Sequence, residues 1–271
     1  RNVLVLGIGN SATDIAAETS RVSAMTYLAM RRGAYVLPKF IGGVPLDQLA
    51  PEWAHRLPFA LTRGLLMREV NRVQGPMETY GLPKPDHKLG QAHPTISADL
   101  LTRIGHGRVT VKPNLERLDG RTVRFVDGSE LQIDTIVWCT GYKVTFPFLD
   151  ASLLDASGNQ VPLYRRVVHP RRPGLYFIGL VQPLGAIMPI AERQSEWVAD
   201  LLEGSAALPE PDRMERAIQR EDAALRKRYV ASSRHTIQVD FHAYMRQLER
   251  ERRRRRGVKR PLPAERARVH A

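Results

Sequence analysis

The first residues of the chain, RNVLVLGIGNSATDIA, place a glycine-rich turn between an apolar run and a segment of helical composition. The turn matches the pattern G-x-G-x-x-G/A at Gly7, Gly9 and Ala12. The first glycine permits a tight turn, the second lets backbone approach a pyrophosphate, and the small third residue lets the helix pack close to the sheet. A second apolar run at residues 25–30 completes strand, turn, helix and strand within about thirty residues. This order predicts a βαβ unit of a Rossmann-like α/β domain.

The same turn predicts a nucleotide site. Free N–H groups at the start of a helix favour phosphate, and the residues assigned to that contact are Gly7, Gly9, Asn10, Ser11 and Ala12. A carboxylate at the end of the second strand would hydrogen-bond the ribose hydroxyls of NAD or FAD, but this sequence has Arg31 and Arg32 there. Two guanidinium groups would attract a 2′-phosphate, so the motif predicts NADPH. The alternatives are a glycine turn without a ligand and a solvated basic turn.

The formal net charge of +13 is concentrated at the end of the chain. Residues 246–271 hold eleven Arg or Lys against three Glu, a net of +8, which leaves +5 for the rest. So modest an excess is not typical of a nucleic-acid groove, and no aromatic residues interleave with the arginines. We therefore expect no specific nucleic-acid partner. The run from Arg252 to Arg256 is interpreted either as a solvated terminus or as a weak contact for an anionic surface.

The apolar runs and the cysteine content exclude further classes of protein. Runs such as residues 3–6 and 136–139 are strand-sized, far below the roughly 20 residues of a membrane span. Because Cys139 is the only cysteine, we expect no disulfide framework and no Cys-x-x-Cys redox or zinc site. We also expect no bound metal, since the histidines have no companion carboxylates at ligand spacing. The expected location is cytoplasmic.

The remaining elements are predicted from periodicity and turn residues. RLPFALTRGLLMREVNRV and PLGAIMPIAERQSEWVADLL are predicted helices, and the second places Ile190, Gln194, Trp197 and Leu201 at helical spacing. RVTVKP and TVRFVDG predict a small antiparallel element, broken at 114–120, that leads into a buried strand at DTIVWCTGY. GLYFIGL is predicted to be another buried strand. The residues from 210 to 256 are charged and helix-prone.

Four segments resemble, in order, the landmarks of the flavin-containing monooxygenases, a family related to the Baeyer–Villiger monooxygenases. They are GIGNSATDIA, RRGAYVLPK with GGVPLD, DTIVWCTGYKVTFPFL, and GLYFIGLVQPLGAIMPIAERQ, and they lie within residues 1–202. In that family an NADPH-binding domain is inserted into an FAD-binding domain whose own glycine motif comes first. The resemblance therefore implies that the FAD motif and the catalytic residues lie upstream of residue 1. We expect these 271 residues alone to be inactive or weakly active.

The resemblance also implies a division of the chain and further cofactor contacts. Residues 1–135 would form the NADPH-binding Rossmann-like domain, with a helical and loop insertion at about 33–95. Residues 136–205 would form the C-terminal part of the FAD-binding domain, and residues 206–271 a charged helical extension with the basic tail. Thr140 and Gly141, after the CTGY strand, and Gln182, after the FIGL turn, would contact cofactor. Cys139 is given no catalytic role, because a buried thiol behaves as a small hydrophobe.

The implied reaction uses NADPH, FAD and O₂. NADPH would reduce FAD, and a flavin hydroperoxide formed with O₂ would oxygenate an amine nitrogen or a sulfide sulfur of a small-molecule substrate. The first alternative is a ketone monooxygenase of the Baeyer–Villiger type. The second is of another class, a non-catalytic NADP-binding module whose basic tail docks on an anionic surface. The sequence leaves the substrate and the oligomeric state open.

Overall fold

The structure, a computed structural model, describes residues 1–49, 59–150, 152–183, 185–228 and 236–254. The chain divides into two compact units, Arg1–Lys143 and Val144–Ala271, which we call the first and the second unit. No helix in the described part of the chain has the length and apolar character needed to span a membrane.

A four-stranded parallel sheet forms the centre of the first unit, with the strand order β11-β1-β2-β7. Its strands are β1 Asn2–Leu6, β2 Met25–Ala29, β7 Val109–Lys112 and β11 Thr135–Trp138. The predicted βαβ unit is confirmed, because β1 and β2 pair in parallel and are joined by helix α1, Asn10–Thr19. The central strand β1 is almost wholly apolar, since both of its faces are covered.

The two faces of the parallel sheet are covered by different structures. On one face, Val3 and Val5 of β1 join a core with Ala12 and Ala16 of α1 and Leu100 of α3, Leu100–Gly105. On the other face, a three-stranded antiparallel sheet covers β1 and contributes Val123 and Phe125. Its strands are β8 Leu115–Asp119, β9 Thr122–Phe125 and β10 Glu130–Gln132. Alternating β1 side chains therefore anchor two layers, since successive residues of a strand point to opposite faces.

Between β2 and β7 lies an insertion of short elements. It contains the parallel pair β3 Val36–Leu37 and β6 Thr95–Ile96, the hairpin β4 Phe40–Ile41 and β5 Val44–Pro45, and helix α2 Phe59–Gln74. Helix α2 confirms the predicted helix of this region. Its Val70 packs with Leu37, Ile41 and Leu89 in a small core of the insertion.

Two predicted strands and one predicted break differ from the structure. RVTVKP belongs to the parallel sheet as β7, because Val109 packs in the core formed with α1 and α3. The predicted break at 114–120 contains a strand, β8, whose charged and mostly exposed residues have the composition of a loop. The predicted buried strand at CTGY is an edge strand, β11, and its Trp138 is 59% exposed.

In the second unit, three helices pack around one apolar core. The helices are α4 Met188–Leu202, α5 Pro211–Arg228 and α6 Phe241–Arg252, and a two-stranded parallel pair joins β12 Gln182–Pro183 to β13 Gln238–Val239. The spacing predicted for α4 is confirmed: Ile190, Gln194 and Trp197 are buried, and Leu201 packs against the same core. Met214 of α5 and Leu248 of α6 complete the core.

The compact units divide the chain between residues 143 and 144, whereas the predicted domains divide it at 135/136 and at 205/206, a division that stays a prediction. Strand β11, assigned to the segment 136–205, pairs with β1 in the first unit. The helices assigned to a separate extension after residue 206 share the core of α4. The predicted strand GLYFIGL is wrong: only an isolated bridge at Tyr176 forms, and the segment is not buried. A β-strand needs an extended neighbouring segment with which to pair. The segment 164–168, which bridges to Tyr176, is not extended, because Arg165 and Arg166 have positive φ values.

A buried ion network stabilises the second unit at Arg165. Glu251, only 1% exposed, accepts a hydrogen bond from the Tyr164 hydroxyl at 2.6 Å and lies 3.0 Å from the Arg165 guanidinium. Arg165 also pairs with Glu221 of α5. Burial tends to raise the pKa of Glu251, but its hydrogen bonds with Tyr164 and Arg254 outweigh burial and hold that pKa below its usual value of 4.5. The network therefore links α5 and α6 to the 164–166 turn.

Replacing Tyr164 by Phe should destabilise the second unit by about 1.5 kcal/mol at neutral pH, because a buried carboxylate loses one charge-assisted hydrogen bond. A carboxyl group whose pKa is lower in the folded than in the unfolded state stabilises the protein when the pH is above its unfolded-state pKa. This stabilisation is lost as the pH falls through the folded-state pKa. The substitution moves the pKa of Glu251 towards 4.5, so the stabilities of the two proteins should begin to converge as the pH falls below about 4.5 and should meet only below the lowered pKa of the folded wild-type protein. Denaturant unfolding between pH 3 and 8 measures this. A Tyr176→Phe variant is the control, and an equal loss in both would contradict the assignment.

Candidate nucleotide-binding site

The glycine turn lies at the carboxyl edge of the parallel sheet, where the strand order reverses. From β1 the chain passes through α1 to β2 on one side, and β11 pairs with β1 on the other side. In open parallel sheets this switch point opens a crevice in which ligands bind. Gly7 follows the last residue of β1, whose partners in register are Ala29 and Trp138. The turn therefore occupies the position of a ligand-binding crevice.

Backbone contacts explain why glycine is needed at position 7. Gly7 has a φ of +129°, a conformation that residues with a side chain rarely adopt. A Cβ atom at this position would lie 2.3 Å from the carbonyl oxygen of Cys139. The Gly7 N–H donates to the Ala29 carbonyl at 2.9 Å, and the Cys139 N–H donates to the Leu6 carbonyl at 2.8 Å. The turn is thus clamped between the ends of β2 and β11.

The N-terminus of α1 presents free donors beside this turn. Gly9 is the N-cap residue in extended conformation, no side chain caps the helix, and its first turn holds no acidic residue. The first N–H groups of a helix have no partner within the helix, and the helix dipole favours an anion at this end. Asn10 and Ser11 are exposed, whereas Ala12 is fully buried against the sheet. Contact of these residues with a cofactor stays a prediction.

A second segment, residues 95–97, holds the glycine turn in place. The Thr95 hydroxyl donates to the carbonyl of Ile8 at 2.6 Å, and the Ile96 N–H donates to Asn10 Oδ1 at 2.9 Å. The acceptor atom of Asn10, predicted to bind cofactor, is therefore already used by the protein. Ser97 accepts a hydrogen bond from the N–H of Leu100 at 3.2 Å and so supports the start of α3. The motif GIGNSA alone does not indicate these supports.

Replacing Thr95 by Val should weaken binding of NADPH by about threefold to tenfold, because the half-buried Ile8 carbonyl loses its hydrogen-bond partner, at a cost of about 1 kcal/mol. Thr95 is 3% exposed and Val is close to it in shape, so the glycine turn should loosen without a cavity forming. Titration with NADPH and a thermal melt measure both effects. Thr102→Val on the exposed side of α3 is the control. Unchanged affinity in the Thr95 variant would contradict this role.

Arg31 and Arg32 lie two and three residues after the end of β2, at the same edge of the sheet, and both are exposed. The Nε atom of Arg32 lies 3.7 Å from Oδ2 of Asp86. No carboxylate of the described residues forms an ion pair with Arg31. The two guanidinium groups are therefore accessible, and one of them has a carboxylate neighbour that the local pattern did not indicate.

Thr140 and Gly141 leave the sheet at the end of β11, beside the end of β1, and both are exposed. Gly141 has a φ of +104°, and a Cβ atom there would meet nothing within 4 Å. Close approach of another described residue therefore does not account for this glycine. Tyr142 is 88% exposed. Cys139 is partly buried, and this burial raises the pKa of its thiol.

Gln182 lies in the second unit. It is half-buried on β12, and its N–H donates to the carbonyl of Ile237 at 2.8 Å. The nearby turn is held by Gln194, which is fully buried, accepts a hydrogen bond from the Gly179 N–H at 2.7 Å and donates to the Tyr244 hydroxyl at 2.8 Å. The role of Gln182 towards cofactor remains a prediction.

The basic run begins with paired arginines. Arg252 bonds Asp200 and Glu196, each at 2.6 Å, Arg253 pairs with Glu249, and Arg254 pairs with Glu251. Arg255 and Arg256 lie outside the described residues, so the proposed anionic contact stays a prediction. Within the ranges that the structure describes, no group of three or more potential metal ligands is assembled.

The family model and the similar sequences all indicate the same protein family. A family model described as flavin-binding monooxygenase-like matches residues 1–256. Human flavin-containing monooxygenase 5 is 38% identical over 261 residues, covering 92% of this chain and 48% of the relative. Dimethylaniline monooxygenase (N-oxide-forming) 2 from Rattus norvegicus is 33% identical over 260 residues, covering 93% and 48%. The chain thus spans about half the length of the curated relatives it matches.

Comparison with solved structures shows the fold. OTEMO in complex with FAD and NADP superposes with a TM-score of 0.63 at 12% identity, covering 92% of this chain and 64% of that chain. S-allyl-L-cysteine S-oxygenase from Allium sativum gives a TM-score of 0.58 at 21% identity, covering 94% and 45%. The predicted fold class is confirmed: an α/β chain of the two-dinucleotide-binding flavoprotein fold with a Rossmann-like domain.

Proposed function

Because the chain belongs to the flavin-binding monooxygenase-like family, we propose that the full-length protein is an NADPH-dependent flavin monooxygenase. It uses O₂ to oxygenate an amine nitrogen or a sulfide sulfur of a small molecule. The name of one group of sequence relatives, dimethylaniline monooxygenase (N-oxide-forming), supports the amine nitrogen as a substrate atom. A cytoplasmic location is part of the same proposal.

The observation that carries the proposal is the glycine turn at the switch point of the parallel sheet. Gly7 brings the chain sharply from β1 to α1, and the uncapped start of α1 offers N–H donors to an anion. A pyrophosphate fits this donor set, since Ser11 is exposed and no acidic side chain stands in the first turn of the helix. The proposed ligand of this turn is the pyrophosphate of NADPH.

The exposed guanidinium groups of Arg31 and Arg32 support NADPH over NADH. They stand at the end of β2, where the adenosine ribose of a dinucleotide bound at this motif is placed. Arginine can donate two parallel hydrogen bonds to a phosphate, whereas it offers no acceptor to a 2′-hydroxyl. These two residues would therefore bind the 2′-phosphate and position the cofactor.

FAD, when bound, would supply the redox chemistry and the activation of O₂. Thr140 and Gly141, whose backbone is exposed beyond β11, are proposed as cofactor contacts of the first unit, and Gln182 on β12 is proposed separately as a cofactor contact of the second unit. The share of these residues would be to orient the cofactors and to exclude water, so no acid, base or nucleophile is assigned to them.

The proposal is tested by the products of the full-length protein. With NADPH and ¹⁸O₂, N,N-dimethylaniline and a thioether should each gain one labelled oxygen, which mass spectrometry detects. Oxygen insertion into a cyclic ketone, with no product from the amine or the thioether, would instead establish the Baeyer–Villiger alternative. NADPH binding without oxygen consumption would favour the alternative of a non-catalytic binding module.

A further inference from the structure

The loop that carries Asp86 is packed tightly against the turn that carries the two arginines. A Cβ atom on Gly33 would lie 2.1 Å from the carbonyl oxygen of Pro83 and 2.7 Å from backbone atoms of Lys84. The Tyr35 hydroxyl donates to the carbonyl of His87 at 3.0 Å, and the two rings meet edge to face with centroids 5.7 Å apart. Backbone packing, and not only a flexible side chain, therefore brings residue 86 next to Arg32.

The carboxylate of Asp86 lies between two partners. Its Oδ1 atom is 2.9 Å from Nδ1 of His87, and its Oδ2 atom is 3.7 Å from Nε of Arg32. The hydrogen bond with His87 is the main cause that lowers the pKa of Asp86, so the carboxylate is charged at neutral pH. About half of the Asp86 and Arg32 side chains is exposed, 54% and 56%. The pair is thus open to a ligand that approaches Arg32.

We propose that Asp86 is a specificity-determining residue that limits the preference of this site for NADPH over NADH. The inference rests on the proposed cofactor site. The Asp86 carboxylate competes with a 2′-phosphate for Arg32 and repels it, whereas it does not repel the neutral 2′-hydroxyl of NADH. Arg31 forms no ion pair with the described residues. Its charge therefore keeps binding of the 2′-phosphate of NADPH preferred over binding of the 2′-hydroxyl of NADH. The preference for NADPH therefore depends on the attraction of the 2′-phosphate by Arg31 and Arg32 and on its repulsion by Asp86.

The test uses two probes that differ only at the ribose, adenosine 2′,5′-bisphosphate and adenosine 5′-monophosphate. Asp86→Asn in the full-length protein should tighten binding of the bisphosphate by about threefold to tenfold at low ionic strength. Binding of the monophosphate should change less than twofold. The gain should shrink as salt is added, because the charges are exposed. Calorimetric titration of both probes measures these effects without any turnover.

The control is Glu116→Gln, which removes one negative charge of similar exposure, 52%, beside Arg124 in the antiparallel sheet. It should leave binding of both probes unchanged. Unchanged or weaker bisphosphate binding in a folded Asp86→Asn protein would overturn the inference while leaving the NADPH site in place. A wild-type protein that binds the two probes equally would overturn the NADPH assignment itself, and the inference with it. Asp86→Ser provides a second variant should the asparagine form a new hydrogen bond with Arg32.

Discussion

Gly7→Ala should abolish measurable binding of NADPH, with a loss of affinity of at least about 100-fold, which corresponds to about 2.7 kcal/mol. The added Cβ atom would lie 2.3 Å from the carbonyl oxygen of Cys139, so either β11 or the turn must move. The φ of +129° adds backbone strain of about 1–3 kcal/mol. The steric clash and the backbone strain both act on the turn between β1 and α1, which sets the position of the α1 N-terminus. Titration with NADPH and denaturant unfolding measure the two effects.

The matched control for this prediction is Gly120→Ala. Gly120 also has a positive φ, +57°, but a Cβ atom there would meet nothing within 4 Å. The Gly120→Ala substitution should lower the free energy of unfolding by about 1–2 kcal/mol, because alanine is strained in the left-handed conformation. The affinity for NADPH should stay unchanged. If the Gly7 variant bound NADPH as tightly as the Gly120 variant, the close approach of Cys139 would have no bearing on the site.

Removing both Arg31 and Arg32 by replacement with Ala should raise the KM for NADPH by about 100-fold and change the KM for NADH less than threefold. Charge-assisted hydrogen bonds to a phosphate contribute about 1.5–3 kcal/mol each. Because both side chains are exposed, solvent screening keeps each contribution slightly below the lower end of that range, so the two together amount to about 2.7 kcal/mol, which corresponds to a factor of about 100. Steady-state kinetics with the two cofactors measure the ratio. The effect on NADPH should weaken with increasing salt.

A double replacement of Arg117 and Arg121 by Ala serves as the control, since it removes the same charge from exposed positions on β8 and the turn that follows it. It should leave the ratio of the two KM values unchanged. Equal losses for NADPH and NADH in the Arg31 and Arg32 variant would contradict binding of the 2′-phosphate by these residues.

Local patterns were sufficient for the part of the fold that builds the glycine turn. The apolar β1, the small residues of α1 and the spacing to β2 all lie within thirty residues of each other, so their pairing needs little information from elsewhere. Strand partners over longer distances were harder to predict. The composition of β7 fits an antiparallel element equally well, because it does not reveal that Val109 packs beside α3. The charged edge strand β8 has the composition of a loop.

The residues of the candidate site that local patterns mark could be predicted, whereas the contacts between distant segments could not. Gly7, Arg31 and Arg32 follow from their positions at strand ends, and the structure places them at one edge of the sheet. The contacts of Thr95 and Asp86 were not predictable, because they join segments far apart in the chain. The Thr95 hydroxyl reaches a carbonyl 87 positions away, and no local pattern marks that distance. The conformation of the insertion between β2 and β7 creates both contacts.

The most direct test of the account is oxygen uptake by the full-length protein with NADPH and with NADH, in the presence of N,N-dimethylaniline. We predict uptake that requires a reduced cofactor, is much faster with NADPH, and yields one N-oxide per O₂ consumed. A protein that binds NADPH but consumes no O₂ with any amine or sulfide would contradict the proposal that this nucleotide site belongs to a monooxygenase.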